Sequence, residues 1–232
     1  MPGIDPQPTA YDQAMRDPWK TWFTRDYSFF TTVKRDMLLQ AARRHIGNPS
    51  ELDWLDVGCG QGELMRLARG CFRASLGCDP SAAMLAKCNG VEALLQEKND
   101  CLPFPDESFD VVSLCCVLHH VPGEERTELL REVFRVLRPN GIVVIFEHNP
   151  WNIVTRLIVS RCAVDVGVTL VNPRKLRHDL VLAGLSPVSS RYYLFLPPIL
   201  PFASVIERTL EWLPLGGQYM MVARRAVNER HD

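Results

Sequence analysis

The chain has 232 residues, of which 47% are hydrophobic and 23% charged, a composition typical of a globular domain. Its formal net charge of -1 lacks the basic excess of a nucleic-acid-binding surface, so we expect no nucleic-acid partner. No segment has the ~18 uninterrupted apolar residues of a membrane-spanning helix, and the first twenty residues lack the apolar run of a signal peptide. The eight cysteines form no CxxC pair and match no zinc framework. We therefore expect reduced thiols, a cytoplasmic chain and no metal site.

Strand and helix patterns alternate from residue 31 to residue 148. Helical spacing predicts helices at 31–45, 62–70, 80–88 and 124–138, and apolar runs predict strands at 52–57, 74–79, 93–96, 109–117 and 141–148. This alternation predicts a parallel sheet with helices on both faces. Beyond it, we expect a helix at 173–183, strands at 187–195 and 219–224, and a Pro- and Leu-rich segment at 196–217.

A glycine-rich loop lies between the first predicted strand and the helix that follows it. Glycines in Asp56-Val57-Gly58-Cys59-Gly60-Gln61-Gly62 allow a tight turn and a close approach of a ligand to the main chain. The carboxyl end of a strand in an open α/β sheet is also where ligands bind. The spacing is G-x-G-x-G, not the dinucleotide pattern G-x-G-x-x-G. Asp79 would suit the ribose of NAD or of an adenosyl cofactor equally well, so an NAD(P)-dependent oxidoreductase stays open on these residues alone.

Four segments in order carry a resemblance to a known family. The loop at 56–62 resembles the first motif of class I S-adenosylmethionine-dependent methyltransferases, and LGCDPSAAML, LPFPDESFDVVSLCCVLHHVP and EVFRVLRPNGIVVI resemble the motifs that follow it. Within that family, the combination is most similar to small-molecule methyltransferases of the ubiquinone/menaquinone-biosynthesis type. The resemblance covers about residues 50–148. It implies an α/β, Rossmann-like, seven-stranded and mostly parallel sheet, with a last antiparallel strand at 219–224.

The resemblance also implies S-adenosylmethionine as cofactor and assigns residues to it. Gly58, Cys59 and Gly60 are expected against the amino-acid part of the cofactor, and Asp56 is expected to position that region. Asp79 is expected to accept hydrogen bonds from both ribose hydroxyls, an arrangement that is charge-assisted and bidentate.

The adenine end departs from the family pattern. Many family members have an Asp-Ala pair where this chain has Lys98 and Asn99, and a lysine cannot accept a hydrogen bond. We therefore expect Asn99, Asp100 or main chain to hold the adenine amine. Cys115, near the end of the fourth strand, is expected to line the cofactor pocket or to be a core cysteine.

The candidate catalytic residues follow the fourth and fifth strands. Methyl transfer depends mainly on alignment and exclusion of water, but a hydroxyl or acidic-carbon acceptor would benefit from a general base. His120, Glu147 and His148 are our candidates, because histidine titrates in the right range and Glu147 could raise the basicity of its neighbour. The alternative is that His119 and His120 are structural groups or form part of the pocket wall.

The acceptor side is expected from segments outside the cofactor core. We predict one domain of residues 1–232: a helical substrate cap at 1–48, the cofactor core at 50–148, an acceptor-side segment at 149–217 and the last strand at 218–224. Apolar residues at 153–163, with Arg156 and Arg161, would form a lid helix. We predict a small, hydrophobic or lipid-like acceptor, a peripheral membrane contact and a monomer. A non-catalytic cofactor-binding partner protein and plain core packing of these segments are the alternatives.

Overall fold

A seven-stranded sheet forms the centre of the computed structural model, which describes residues 28–226 except 99, 166, 198, 199 and 201. The strands are β1 (Asp53–Val57), β2 (Ala74–Asp79), β3 (Ala93–Leu95), β4 (Phe109–Cys115), β5 (Leu137–His148), β6 (Leu185–Tyr193) and β7 (Gln218–Arg225). Their order across the sheet is β3-β2-β1-β4-β5-β7-β6. The pairs among β1 to β5 are parallel, and β7 runs antiparallel to both β5 and β6. The predicted α/β fold and the antiparallel strand near 219–224 are confirmed.

Seven α-helices connect the strands of the described chain. They are α1 (Ser28–His45), α2 (Glu63–Leu67), α3 (Ala82–Leu85), α4 (Arg126–Val136), α5 (Ile153–Arg161), α6 (Pro173–Leu182) and α7 (Ala203–Leu210). The first part of the predicted substrate cap, residues 1–27, lies outside the described residues. Asparagines begin the two helices after β5: the side chain of Asn152 accepts from Thr155 N, and that of Asn172 accepts from Arg174 N. None of the described helices is long and apolar enough to cross a bilayer.

Burial explains why the central strands β1, β4 and β5 are rich in apolar residues. The central strands carry helices on both faces, so Trp54, Leu55, Val111 and Val112 are buried whichever face they point to. The predicted strand at 141–148 begins four residues earlier, at Leu137. Its pairing with β4 shifts register between Phe109 and Val111, and Asn140, within β5, has a left-handed φ of 66°. Parallel strands bring the carboxyl ends of β1, β2, β4 and β5 to one edge of the sheet, and the predicted site residues lie there.

Candidate active site

The loop from Asp56 to Gly62 turns sharply because three of its residues adopt left-handed backbone conformations. Gly58, Gly60 and Gly62 have φ values of 69°, 55° and 75°. The main-chain N–H groups of Gly58 and Cys59 donate to the carbonyl of Cys78 at 2.8 and 3.0 Å, which ties the loop to β2. A Cβ on Gly60 would meet nothing within 4 Å, whereas one on Gly58 would lie 2.5 Å from a methyl of Val117. The backbone at Gly60 is therefore open to a ligand, as an S-adenosylmethionine site requires.

Asp79 is fixed at the end of β2 by the loop that it faces. Its Oδ2 accepts from the main-chain N–H of Gly60 at 2.8 Å, and its Oδ1 accepts from Ser81 N at 2.9 Å. The side chain is buried, so its charge depends on such donors. The carboxylate thus faces the glycine loop, and its expected acceptance of two ribose hydroxyls stays a prediction.

Asp56 lies beneath the glycine loop, inside the sheet. It pairs in register with Ser113 of β4, whose Oγ donates to Asp56 Oδ1 at 2.5 Å and accepts from Trp54 Nε1 at 2.8 Å. Burial raises the pKa of Asp56 to about 7, although the hydrogen bond from Ser113 opposes that shift. Asp56 thus links β1 to β4 below the loop, which is consistent with its expected role of positioning the loop.

The adenine end is only partly described. Asn99 lies outside the described residues, and Asp100 is exposed. The sequence analysis missed Gln96, a buried amide whose Nε2 donates to the carbonyl of Lys98 at 3.0 Å and whose main-chain N–H donates to Asp79 O. Gln96 therefore holds the start of this segment against the end of β2.

A lysine from α1 reaches the end of β4. Lys34 Nζ donates to Cys116 Sγ at 3.3 Å, and Cys116 has a left-handed φ of 58°. Burial opposes ionisation of this thiol, but the Lys34 ammonium and His148 outweigh burial and lower the pKa of Cys116 to about 6. Cys115 is partly buried among core residues, and Cys59 is buried beside Gly77. Sequence patterns gave no sign of Lys34, because the lysine is distant in the chain.

Glu147 holds His119 at the ends of β4 and β5. Its Oε2 is 2.6 Å from His119 Nδ1, and its Oε1 accepts from the main-chain N–H of Leu118 at 2.8 Å. Both side chains are buried. The sequence pointed to His148 as the partner of Glu147, but neighbouring strand residues point to opposite faces, so the carboxylate meets His119 instead. His148 Nδ1 lies 3.3 Å from Gln218 Nε2 of β7.

Asp165 completes this group from the 3-10 turn Ala163–Asp165. Its Oδ1 is 3.5 Å from Nε2 of His119 and 3.5 Å from Nε2 of His120, and the two imidazole rings lie 4.2 Å apart. Burial lowers the pKa of His119, but Glu147 and Asp165 outweigh it and raise that pKa to about 10. Burial and the neighbouring His119 lower the pKa of His120 to about 4. We call His119, His120, Asp165 and Glu147 the histidine cluster.

Arg126 links the two chain segments of the histidine cluster by hydrogen bonds. It is buried, and its Nε donates to the carbonyls of Leu118 and Val121, at 2.8 and 2.9 Å. Its second amino group donates to the carbonyl of Thr169 at 2.9 Å. The turn that carries the histidines is thereby joined to the segment that follows Asp165. The sequence analysis missed Arg126 because the arginine lies on the first turn of an ordinary amphipathic helix.

Known proteins match both the fold of this chain and the segment that contains its glycine loop. Residues 55–145 match the family model described as a methyltransferase domain. The chain is 36% identical over 100 residues to tRNA (carboxymethyluridine(34)-5-O)-methyltransferase of Arabidopsis thaliana, covering 42% of this chain and 24% of that protein. It is 43% identical over 72 residues to ubiquinone/menaquinone biosynthesis C-methyltransferase of Hahella chejuensis, covering 31% and 26%. The chain thus spans about a quarter of the length of these relatives.

A solved structure has the same architecture. The crystal structure of a SAM-dependent methyltransferase from Archaeoglobus fulgidus superposes with a TM-score of 0.61 at 22% identity, covering 86% of this chain and 100% of that one. Strand order, glycine loop and family match define the class I methyltransferase fold. Residues 55–145 thus match a methyltransferase domain, and the described chain has the fold of a SAM-dependent methyltransferase.

Proposed function

We propose that this chain transfers a methyl group from S-adenosylmethionine to a small, hydrophobic acceptor at the carboxyl ends of β4 and β5. The bound cofactor supplies a methyl group activated by a sulfonium, so the protein must chiefly align the acceptor and exclude water. The glycine loop and Asp79 hold the cofactor side. In-line attack of the acceptor atom forms the new bond to the methyl carbon, and the S–CH₃ electron pair stays on sulfur.

Exposed apolar side chains beside the end of β5 support a hydrophobic acceptor. On α5, Ile153 is 79% exposed and Val154 59%, and Trp212 is 70% exposed near the start of β7. Two hydrogen bonds join these segments: Asn152 Nδ2 donates to Leu215 O at 2.7 Å, and Asn149 Nδ2 donates to Gly216 O at 2.8 Å. We take the exposed apolar side chains of these two joined segments as one surface, which would favour an apolar ligand or a lipid surface. This apolar surface is the observation that carries the proposal.

Three predicted catalytic residues receive different roles under this proposal. Glu147 is a positioning residue, because both of its oxygens are occupied by His119 and by Leu118 N. The proton of a hydroxyl acceptor would pass to His120 or to His148, both of which are partly exposed or exposed beside the cluster.

The relatives suggest one competing acceptor. The Arabidopsis relative is named for a tRNA uridine, whereas the Hahella relative is named for quinone biosynthesis. The net charge of -1 favours the uncharged acceptor, because counter-ion release from phosphates needs a basic surface.

A labelling experiment separates the two classes. The chain would be incubated with tritiated S-adenosylmethionine and either a total lipid extract or total tRNA, and mass spectrometry would identify the labelled product. We expect label in the organic phase only. Label in tRNA would overturn the hydrophobic acceptor in favour of a tRNA methyltransferase. Label in neither fraction would leave the proposal without an acceptor and favour a binding protein.

A matched pair of valines tests the apolar surface itself. Val154 on α5 and Val181 on α6 are both 59% exposed, but only Val154 lies beside the proposed acceptor site. Val154→Ser should lower the transfer rate at limiting acceptor and leave binding of S-adenosylhomocysteine unchanged. Val181→Ser should change neither quantity, and equal effects of the two substitutions would contradict the assigned surface.

A further inference from the structure

We infer that the histidine cluster binds a divalent transition-metal ion of the zinc type, through Nε2 of His119, Nε2 of His120 and a carboxylate oxygen of Asp165. These three ligand atoms lie within 4.8 Å of one another. The expectation of no metal site rested on the spacing of the cysteines and did not consider the histidines. The inference concerns metal binding and holds whichever acceptor is methylated.

The distances from Asp165 Oδ1 to the two histidine nitrogens are the first observation in favour of a metal ion. Its Oδ1 is 3.5 Å from both histidine nitrogens, beyond the 2.7–3.2 Å of an N–H···O hydrogen bond. Metal–ligand bonds of about 2.0–2.2 Å in a tetrahedral arrangement place ligand atoms roughly 3.3–3.5 Å apart. Two of the three edges of the site therefore have the spacing that a shared cation produces.

The second observation is a histidine nitrogen that has no hydrogen-bond partner among the described residues. His119 Nε2 is buried and makes no hydrogen bond to any residue that the structure describes. A buried polar atom of this kind requires an explanation, and a metal ion is one of the recognised explanations. The nitrogen is aimed at Asp165 and lies next to the ring of His120.

The third observation is the contact that the other ring nitrogen of His119 makes. His119 Nδ1 meets Glu147 Oε2 at 2.6 Å, so a proton on Nδ1 leaves the lone pair of Nε2 directed at the site. Histidine ligands in proteins usually donate their other N–H to a carboxylate or a carbonyl in this way. The two carboxylates, Glu147 and Asp165, also supply the negative charge that a buried dication needs.

The local backbone explains how adjacent histidines can share one ion. Residues 118–120 form a turn after β4, so His119 and His120 do not alternate between faces as they would in a strand. Arg126 holds this turn to Thr169, beyond Asp165. Two histidines and one carboxylate leave a fourth position free, which is the ligand set of catalytic rather than structural zinc. With His120 as a ligand, the proton of an oxygen acceptor would pass to His148 or to solvent.

Metal content of the chain of residues 1–232 tests the inference. The chelator-treated protein would be incubated with Zn²⁺, dialysed and measured by elemental mass spectrometry. We expect about one zinc per chain for the native sequence and background levels for His119→Ala and Asp165→Asn. His178→Ala, which removes an exposed histidine of α6, should retain the native amount. Thermal stabilisation of each variant by S-adenosylhomocysteine would show that it is folded.

Cobalt spectroscopy identifies the ligands and excludes thiolates. Cys115, Cys116 and Cys162 form no disulfide in the described part of the chain, and their sulfur atoms could retain zinc without the histidines. Co²⁺ in the proposed site should show the visible bands of a four- or five-coordinate ion without a sulfur charge-transfer band. Glu147→Gln should weaken zinc binding roughly 10–100-fold, as loss of an orienting carboxylate does elsewhere.

Two results would overturn the site. One is the absence of retained metal in the native chain, which would make His119 an imidazolium held between Glu147 and Asp165. The other is equal zinc retention in folded His119→Ala, which would assign the metal to cysteines.

Discussion

The two ends of the site are built in different ways. On the cofactor side, main-chain groups of the loop at 56–62 and one carboxylate, Asp79, define the geometry. On the acceptor side, the histidine cluster is assembled from side chains that follow β4, end β5 and follow α5. The family match ends at residue 145, before Glu147 and His148. The match therefore includes the glycine loop, His119 and His120, whereas Glu147, His148 and Asp165 lie beyond it.

Removing Asp79 should have the largest effect on the cofactor side. Asp79→Ala removes the carboxylate expected to accept both ribose hydroxyls, and each charge-assisted hydrogen bond contributes about 1.5–3 kcal/mol. We expect at least a ~100-fold loss of affinity for S-adenosylhomocysteine, measured by calorimetry. Asp36→Ala, at an exposed position of α1, is the control and should bind normally. Native affinity in Asp79→Ala would refute the assigned role.

Glu147→Gln should lower the stability of the chain much more than its affinity for the cofactor. Neutralising one partner of the buried contact with His119 should lower the free energy of unfolding by about 3 kcal/mol. Cofactor affinity should change less than about threefold, because the affected side chains lie in the histidine cluster. Chemical denaturation and calorimetry on the same sample provide both values. A larger loss of cofactor affinity than of stability would break the distinction between the two ends.

The free energy of unfolding should depend on pH because the carboxyl group of Asp56 is buried below the loop. Burial raises the pKa of Asp56 from its ordinary value of 3.8 to about 7 in the folded chain. A raised folded-state pKa stabilises the fold at low pH, and that contribution disappears as the pH rises through about 7. Between pH 5 and pH 8, the native chain should lose about 3 kcal/mol of unfolding free energy that Asp56→Asn retains. Parallel pH curves for the two proteins would show that Asp56 does not carry this charge.

Two glycines of one loop should give the smallest, most specific contrast. Gly58→Ala and Gly60→Ala impose the same left-handed strain, of about 1 kcal/mol each. Only the Cβ on Gly58 collides with Val117, so Gly58→Ala should cost about 1–2 kcal/mol more unfolding free energy. Cofactor affinity should fall more in Gly60→Ala relative to its stability loss, since its Cβ fills the open space. Equal stabilities of the two variants would contradict the packing described.

The same division decides what the sequence could reveal. Sequence patterns predicted all seven strands, and the central ones have long apolar runs because helices cover both of their faces. The loop was predicted from its glycines, because main-chain turns need glycine at fixed positions, and the role of Asp79 was predicted from the resemblance. Asp165 and Arg126 were missed, since no local pattern links a turn after β4 to a segment more than forty residues later. The partner of Glu147 depended on side-chain direction, which the order of residues alone does not reveal.

The place of β7 between β5 and β6 has a consequence for synthesis on the ribosome. β7 leaves the ribosome after both strands that it joins, so β6 has no described sheet neighbour until β7 inserts. The contact between His148 and Gln218 forms only at that moment. A nascent chain can therefore complete its cofactor loop while the acceptor side is still open. Cofactor present during translation would meet the loop first, and the acceptor side would close around it.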